Sequence, residues 1–217
     1  MKLSVIISII MTVACLFGFY EIADDVNTSE AVARFDQFFT SKIQSFRTPG
    51  LDFFMKGMTY AGGIIGVTVL TAVVFFILRK IGRTDDANFA LAVTVGGALL
   101  ANVLKFVLRR VRPEAVLALI TQPLSSSFPS GHSMGSMCLA LATIEAIVVA
   151  PTPGLLVKVV GCSLCLIYAL LVGISRVYLG VHYPSDVIAA WLLAGAWISG
   201  TTALNRVYLI GRFTNKP

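Results

Sequence analysis

Long apolar runs alternate with short polar segments along most of the chain. A helix needs about 20 apolar residues to cross a bilayer, and several runs reach or approach that length. The runs are continuous and do not alternate at every second position, which favours helices over the strands of a membrane barrel. The pattern predicts six transmembrane helices, at about residues 3–20, 53–78, 88–108, 133–150, 155–174 and 187–203.

One longer polar stretch, residues 21–52, interrupts this pattern. Apolar side chains recur there at helical spacing, which predicts an extracytoplasmic amphipathic helix within residues 27–48 that begins near Asn27 to Ser29 and ends at Pro49-Gly50. Two placements are open: the helix lies on the outer leaflet beside the route of a lipid, or it packs as a cap over the bundle. Its apolar residues are Val32, Phe35, Phe38, Phe39, Ile43 and Phe46, with Arg34, Asp36 and Lys42 between them.

The composition supports a membrane protein, because 57% of the residues are hydrophobic and only 13% are charged. A soluble domain usually carries about a quarter charged residues. The fold class is therefore all-α, with residues 1–217 forming one membrane-embedded domain. The first apolar run follows only Lys2, as in a signal peptide, but no small-x-small cleavage site follows it, so we expect a retained helix.

The basic residues predict both an orientation and an anionic ligand. The net charge is +6, but no exposed basic stripe or nucleic-acid motif accompanies it, which favours lipid headgroups or an anionic substrate over nucleic acid. Basic residues of short segments on one side predict a cytoplasmic location for that side and for both termini: Lys2, Arg79, Lys80, Arg83, Arg206, Arg212 and Lys216. The opposite side carries Lys105, Arg109, Arg110, Arg112 and Arg176 against this bias, which a bound anion explains.

Two other features within the apolar runs are interpreted as structural. Cys162 and Cys165 form a C-x-x-C pair, but no histidine or charge lies near them in the run, so we interpret them as small packing residues. Glu145 is an acidic residue in the fourth run, and we expect it to pair with Lys158 across the following hairpin.

Three polar groups are predicted to meet at the outer surface. The first closes the third run with Lys105 and Arg112-Pro113. On a continuous helix these two cations lie on one face about 10 Å apart. Arg109 falls between them on that face, and Arg110 does not. Taken alone, this group also fits basic side chains that reach for headgroups.

The second group, Phe128 to His132, opens the fourth run. The pair Ser130-Gly131 at a helix start leaves backbone N–H groups free to bind a phosphate. The alternative is an ordinary helix cap beside an interfacial histidine.

The third group joins Arg176, His182 and Asp186, with Pro184 suited to the first turn of the last helix. A carboxylate placed there can accept a hydrogen bond from one imidazole nitrogen and leave the other as a nucleophile. The chain has only two histidines, and both belong to these groups.

Together, Lys-x6-Arg-Pro, Pro-Ser-Gly-His and Ser-Arg-x5-His-x3-Asp resemble the three-part signature of the type 2 phosphatidic acid phosphatase superfamily. This superfamily includes lipid phosphate phosphatases, bacterial acid phosphatases and vanadate-dependent haloperoxidases. Every position of the signature is filled, by Lys105, Arg112, Pro113, Pro129, Ser130, Gly131, His132, Ser175, Arg176, His182 and Asp186.

The resemblance implies a phosphohistidine mechanism that the residue chemistry supports. His182 attacks phosphorus while Asp186 holds its ring, and His132 serves as the general acid and base. No cofactor or metal is implied, because cations already neutralise the phosphoryl group and no carboxylate cluster lies nearby. Arg109 lies outside the signature and is a candidate for the second phosphate of a diphosphate. The residues implied to bind the substrate phosphate are Lys105, Arg112, Arg176, Ser130 and Gly131.

The function implied is that of a lipid phosphatase of a bacterial inner membrane, with its site facing outward. The substrates considered are undecaprenyl diphosphate first, then phosphatidylglycerol phosphate, phosphatidate or lipid A phosphates. No obligatory protein partner is evident. The alternatives are a lipid phosphotransferase that uses the same phosphoenzyme, a vanadate haloperoxidase, and a membrane protein that binds headgroups without catalysis.

Overall fold

A computed structural model describes residues 3–152 and 154–214. Within these ranges all regular structure is helical, which confirms the predicted all-α class. A single 3-10 turn, Ala115–Leu117, lies in the longest loop. The helices are α1 (Leu3–Asp25), α2 (Glu30–Gln44), α3 (Pro49–Ala61), α4 (Ile64–Lys80), α5 (Thr84–Leu108), α6 (Gly131–Val149), α7 (Leu155–Tyr178) and α8 (Pro184–Thr214).

Five helices, α1, α5, α6, α7 and α8, are long and apolar enough to cross a membrane, so the chain is a multi-pass membrane protein. The continuous span expected over residues 53–78 is wrong. It is a pair of helices, α3 and α4, bent by 61° at Gly62 and Gly63. The carbonyl of Ala61 at this break accepts a hydrogen bond from the hydroxyl of Tyr168 at 2.9 Å. Counting the bent pair as one span gives the six that the sequence predicts.

Helix α6 forms the centre of the bundle and packs against α5, α7 and α8. Its buried residues are mostly small, which lets neighbouring backbones approach closely. The contact with α5 shows how close: a Cβ added to Gly97 would lie 2.5 Å from the Sγ atom of Cys138. Helix α1 packs along α8 in a similar way, with Gly195 of α8 facing Cys15.

Helix α2 packs as a cap on α7 and α8, the second of the two predicted placements. Its inward face buries the charged residue Asp36, and its outward face exposes phenyl rings. The helix ends at Gln44, not at Pro49 as expected. Pro49 is the first residue of α3, where a missing N–H costs nothing. The exposed phenyl rings of α2 are those of Phe35, Phe38 and Phe39, and the ring of Phe46, just after the helix, is also exposed.

The predicted pairing of Glu145 with Lys158 is wrong. Glu145 instead accepts hydrogen bonds from Thr202 at 2.7 Å and Arg206 at 3.4 Å, both on α8. Lys158 donates to two carbonyls at the end of α6, Val148 at 2.9 Å and Ala150 at 2.6 Å. A lysine at the start of α7 lies next to the unpaired carbonyls that end the preceding helix, which explains this preference. Lys2, Lys216 and the side chain of Arg212 lie outside the described part of the chain.

Candidate active site

The three predicted groups meet at one end of the bundle, around a cavity of about 450 Å³. The end of α5 and the loop after it supply one wall, the start of α6 a second, and the α7–α8 connection a third. Residues far apart in the sequence, such as Arg112 and His182, are thereby brought together. The predicted site residues in the cavity wall are Lys105, Arg112, Gly131, His132, Arg176 and His182.

His182 and Asp186 form a buried pair at the base of the cavity. The Nδ1 atom of His182 lies 3.2 Å from Oδ2 of Asp186, one helical turn away. The same carboxylate oxygen accepts hydrogen bonds from the backbone N–H of Tyr183 at 2.9 Å and from the hydroxyl of Ser127. These contacts fix the carboxylate, and the carboxylate orients the imidazole ring.

The contacts also define which nitrogen of His182 is free to react. The Nη1 atom of Arg112 lies 3.2 Å from Nε2 of His182, and an arginine can only donate. Nε2 therefore carries a lone pair, and the ring proton is on Nδ1, facing Asp186. Burial lowers the pKa of His182 to about 3; Asp186 opposes this shift, whereas Arg176 and Arg112 reinforce it. The ring is neutral at physiological pH, with Nε2 available as a nucleophile.

The three cations in the cavity wall, Lys105, Arg112 and Arg176, are held by different hydrogen bonds. The Nζ atom of Lys105 donates to the carbonyl of Ser126 at 2.7 Å. Arg112 donates to the carbonyls of Ser125 at 2.8 Å and Val181 at 2.7 Å, which ties two loops together. Arg176 is buried and donates from Nη1 to the hydroxyl of Thr59 in α3. Its buried Nε atom has no hydrogen-bond partner among the described residues. A phosphate oxygen would satisfy that donor.

The start of α6 presents Gly131 and His132 to the cavity, but not Ser130. The Ser130 hydroxyl caps its own helix, accepting from the hydroxyl of Ser133 at 2.8 Å and from its N–H at 3.4 Å. The backbone N–H of Ser130 donates to the carbonyl of Asp186 at 3.1 Å, which joins α6 to α8. Ser130 thus stabilises the start of α6 and its contact with α8. Its predicted contact with the substrate phosphate stays a prediction.

The predicted common helical face for Lys105 and Arg112 is wrong, because α5 ends at Leu108. Arg109 adopts a left-handed conformation with φ 41°, and the chain turns away from the helix axis there. Arg112 consequently reaches the cavity from a loop. The side chain of Arg109 is exposed and donates to the carbonyl of Phe106 at 3.0 Å. It lines a neighbouring cavity of about 500 Å³, which shares Lys105 and Arg112 with the first.

The same turn brings Arg110, which the sequence analysis left off the site, into the interior. Its Nη1 atom donates to Oδ1 of Asp186 at 2.6 Å, and its Nη2 atom donates to Oδ2 of Asp36 at 2.7 Å. Burial alone would lower the pKa of Arg110, but Asp186 and Asp36 raise it above its ordinary value. The density of basic residues at 109–112 marked the region, whereas nothing in the sequence connects Asp36 with it.

The cavity continues away from the polar groups as an apolar groove between α4 and α5. On α4 its wall extends from the break at Gly63 to Phe76, about 20 Å at 1.5 Å per residue. Small side chains such as Ala72 and Ala98 leave the space open. A Cβ added to Gly63 would lie 3.5 Å from Nε2 of His132, so the groove begins directly beside the histidine. The site thus joins a cationic pocket to a long apolar channel.

No group of three or more His, Cys, Asp or Glu side chains within residues 3–152 and 154–214 is placed to hold a metal ion. All four cysteines are free thiols.

Comparison with known proteins links this site to one family. The profile of the PAP2 superfamily matches residues 86–207. Phosphatidylglycerophosphatase B of Bacillus subtilis is 35% identical over 182 residues, which cover 82% of this chain and 87% of that protein. An undecaprenyl-diphosphatase of Sulfolobus acidocaldarius is 37% identical over 139 residues, which cover 62% of this chain and 59% of that protein.

A solved structure shares the architecture as well. It is the crystal structure of a transmembrane PAP2 type phosphatidylglycerolphosphate phosphatase from Bacillus subtilis. The two structures superpose with a TM-score of 0.77 at 30% identity, over 90% of this chain and 96% of the other.

Proposed function

The chain belongs to the PAP2 superfamily, and we propose from that premise that it hydrolyses a terminal phosphate of a membrane lipid through a phosphohistidine on His182, without a metal. The observation that carries the proposal is the unprotonated Nε2 atom of His182, backed by Asp186 and facing a cavity with three cations and a second histidine. The matched relatives named above are all phosphatases, and the groove between α4 and α5 suits a lipid chain.

In the first step, Nε2 of His182 attacks phosphorus and the bond from phosphorus to the lipid oxygen breaks. His132 lines the same cavity and gives its proton to the departing oxygen. Positive charge develops on the ring of His182 as the P–N bond forms, and Asp186, 3.2 Å from Nδ1, stabilises it. The guanidinium groups of Arg112 and Arg176 bind the non-bridging oxygens as they gain charge.

In the second step, His132 accepts a proton from water and the hydroxide attacks phosphorus. The P–N bond breaks, inorganic phosphate leaves, and Nε2 regains its lone pair. Lys105 and the N–H groups that open α6 hold the phosphate oxygens throughout, because a helix start is positive. Proton transfers in the two steps cancel, so the enzyme returns to its starting state.

Phosphatidylglycerol phosphate is the substrate that the comparisons favour. The similarity to phosphatidylglycerophosphatase B extends over most of both chains, whereas the undecaprenyl-diphosphatase is matched over a shorter segment. This order reverses the order expected from sequence.

Undecaprenyl diphosphate is the second candidate, and one observation favours it. Arg109 lines a second cavity beside the site, and both cavities are lined by Lys105 and Arg112. A second phosphate of a diphosphate would fit there. Because Arg109 is exposed and already bonded to the carbonyl of Phe106, we place this substrate second.

The proposed location is a bacterial inner membrane with the site facing the periplasm or exterior. At the end opposite the site, the last turn of α4 carries Arg79 and Lys80 and the short connection to α5 carries Arg83, and basic residues at short connections favour the cytoplasm. The anion site accounts for the cations at the other end.

The test is phosphate release by the purified chain in detergent with excess EDTA. Phosphatidylglycerol phosphate, undecaprenyl diphosphate and phosphatidate run in parallel, with His182→Ala as the inactive control. We expect release that survives EDTA and disappears in the variant, and the relative rates identify the substrate. A fully active His182→Ala variant, or loss of release in EDTA, would overturn the mechanism.

The same assay separates the alternatives. Appearance of the phosphoryl group on a second lipid, and not as free phosphate, would identify a phosphotransferase. Halide oxidation with added vanadate would identify a haloperoxidase. Lipid binding without phosphate release, unchanged in His182→Ala, would identify a protein that only binds headgroups.

A further inference from the structure

A buried ionic chain connects the amino-terminal cap helix α2 with the histidine of the site. Asp36 of α2 is 2% exposed and accepts hydrogen bonds from Arg110 at 2.7 Å, the hydroxyl of Ser185 at 2.6 Å and the N–H of Ser185 at 2.9 Å. Arg110 donates in turn to Ser185 at 2.8 Å and to Asp186 at 2.6 Å. The order Asp36, Arg110, Asp186, His182 therefore runs without a gap from α2 to the cavity.

Each member of this chain fixes the next. The carboxylate of Asp186 meets Arg110 through Oδ1 and His182 through Oδ2, so a rotation of Arg110 would turn the carboxylate away from the imidazole. Arg110 is held in place by Asp36 at one end of its guanidinium group and by the ring of Tyr183, 4.2 Å from its central carbon to the ring centroid. Without Asp36, one of the two buried carboxylates that orient Arg110 is missing.

The charges of the chain matter as much as its geometry. Arg110 paired with Asp186 alone would form a neutral couple and would weaken the field that stabilises a positive ring on His182. Asp36 adds a second carboxylate to the same guanidinium group, which leaves the buried trio with one net negative charge. Interactions of this kind are strong where water is excluded. Formation of the phosphohistidine places positive charge on the ring, so the trio stabilises the reacting state more than the resting one.

We propose that Asp36 is a positioning residue for the reaction, acting through Arg110 and Asp186 on His182. This inference rests on the proposed function. Asp36 makes no contact with the cavity that holds the substrate phosphate, whose wall is formed by other residues. Its loss therefore changes the rate of the chemical step and leaves substrate binding nearly intact.

The decisive experiment compares Asp36→Asn, Asp36→Glu and Glu30→Gln in the full chain, with phosphatidylglycerol phosphate in detergent. Asparagine keeps the shape and removes the charge, and glutamate keeps the charge. Glu30 lies on the same helix and is exposed, and its one ion pair within the described part of the chain is with Arg34 at 3.2 Å, so it is a matched control. We expect kcat of Asp36→Asn to fall about 10- to 100-fold, on the scale known for losing an outer partner of a metal-bound histidine, with KM changed less than about threefold. Asp36→Glu recovers part of the rate, and Glu30→Gln retains all of it.

A second readout does not depend on activity. The Nδ1 proton of His182 gives a far-downfield NMR resonance when a carboxylate accepts it strongly, and only one other histidine is present. Asp36→Asn should move this resonance upfield, and Glu30→Gln should not. An unmoved resonance together with an unchanged kcat would overturn the inference and reduce Asp36 to an anchor of α2. If the parent chain releases no phosphate from phosphatidylglycerol phosphate, undecaprenyl diphosphate or phosphatidate, the proposed function fails, and the resonance still tests the link from Asp36 to His182.

Should Asp36→Asn fail to fold, Ser185→Ala takes its place. It removes the hydroxyl that bonds both Asp36 and Arg110 but leaves the two charges. A smaller fall in kcat in the same direction is expected, and an unchanged kcat and resonance contradicts the inference.

Discussion

At the scale of single residues, the site depends on a histidine kept neutral by its surroundings. Removing water from around His182 disfavours the imidazolium form, and the nearby guanidinium groups of Arg112 and Arg176 add to that effect. Asp186 offsets part of the cost and selects the tautomer. As the nucleophile that we propose, His182 needs no deprotonation before it attacks.

This protonation state can be measured directly. In protein labelled with 15N-histidine, we expect His182 to keep the shifts of a neutral imidazole with its proton on Nδ1 down to about pH 5, because its pKa is lowered to about 3. An ordinary histidine would be charged there, since its pKa is about 6.5. The His132→Gln variant assigns the two ring systems. Titration of His182 near the ordinary value would show that water reaches the ring.

The same scale shows how far sequence reasoning reaches into a site. Motif spacing predicts one site for His182, Asp186 and Arg112, and the structure brings these three residues together; their roles stay predictions. The sequence does not predict Arg110 as a site residue, because the direction of its side chain depends on where α5 ends. The left-handed turn at Arg109 that ends the helix is not indicated by any glycine or asparagine. Asp36 was beyond reach, since it meets Arg110 across 74 positions.

At the scale of helices, hydropathy predicted where the spans lie but not how one of them breaks. Burial in lipid demands apolar length, which is visible in sequence, whereas the 61° bend between α3 and α4 depends on a tertiary fit. Gly62 lies against α7 so closely that an added Cβ would be 2.2 Å from Cγ1 of Val172. The close approach of α7 therefore needs glycine at position 62. The same residue, Gly62, caps the end of α3 at the bend.

This contact predicts a stability difference between two glycines of the same region. Gly62→Ala should destabilise the protein by about 1–3 kcal/mol through overpacking against Val172. Gly57→Ala is the control: Gly57 lies within α3, with nothing within 4 Å of an added Cβ, and alanine is the better helix former. Thermal unfolding in detergent should show a lower midpoint for the first variant only. Equal midpoints would mean that α7 yields at no cost.

At the scale of the whole molecule, the candidate site joins a polar pocket to an apolar groove between two helices. The pocket alone would accept a soluble phosphate, but the apolar groove continues from it along α4 and α5. A lipid chain in the bilayer is already surrounded by hydrocarbon, so the groove stabilises it through packing contacts and not through removal from water. The arrangement thus favours substrates with long chains.

Narrowing the groove should therefore separate lipids by chain length. Ala72→Phe places a ring in the groove, and we expect kcat/KM to fall about tenfold for a long-chain lipid phosphate, because overpacking costs about 1–3 kcal/mol and about 1.4 kcal/mol is a factor of ten. A short-chain analogue with the same headgroup should react at the parental rate. Val73→Phe, on the same helix but outside the groove wall and exposed, is the matched control. Equal losses for both chain lengths would place the lipid elsewhere.

The cap helix α2 has a consequence for how this protein has diverged from its relatives. The segment recognised as PAP2 begins at residue 86, yet one of the two carboxylates that neutralise Arg110 comes from residue 36. A relative with different amino-terminal helices would leave the buried Arg110 without one of its two carboxylates. It would need another acidic residue near that guanidinium group or a different residue at position 110. Positions 36 and 110 should therefore change together among descendants of a common ancestor. If Asp36 has the role that we propose, the unit required for catalysis begins well before residue 86, where the matched segment starts.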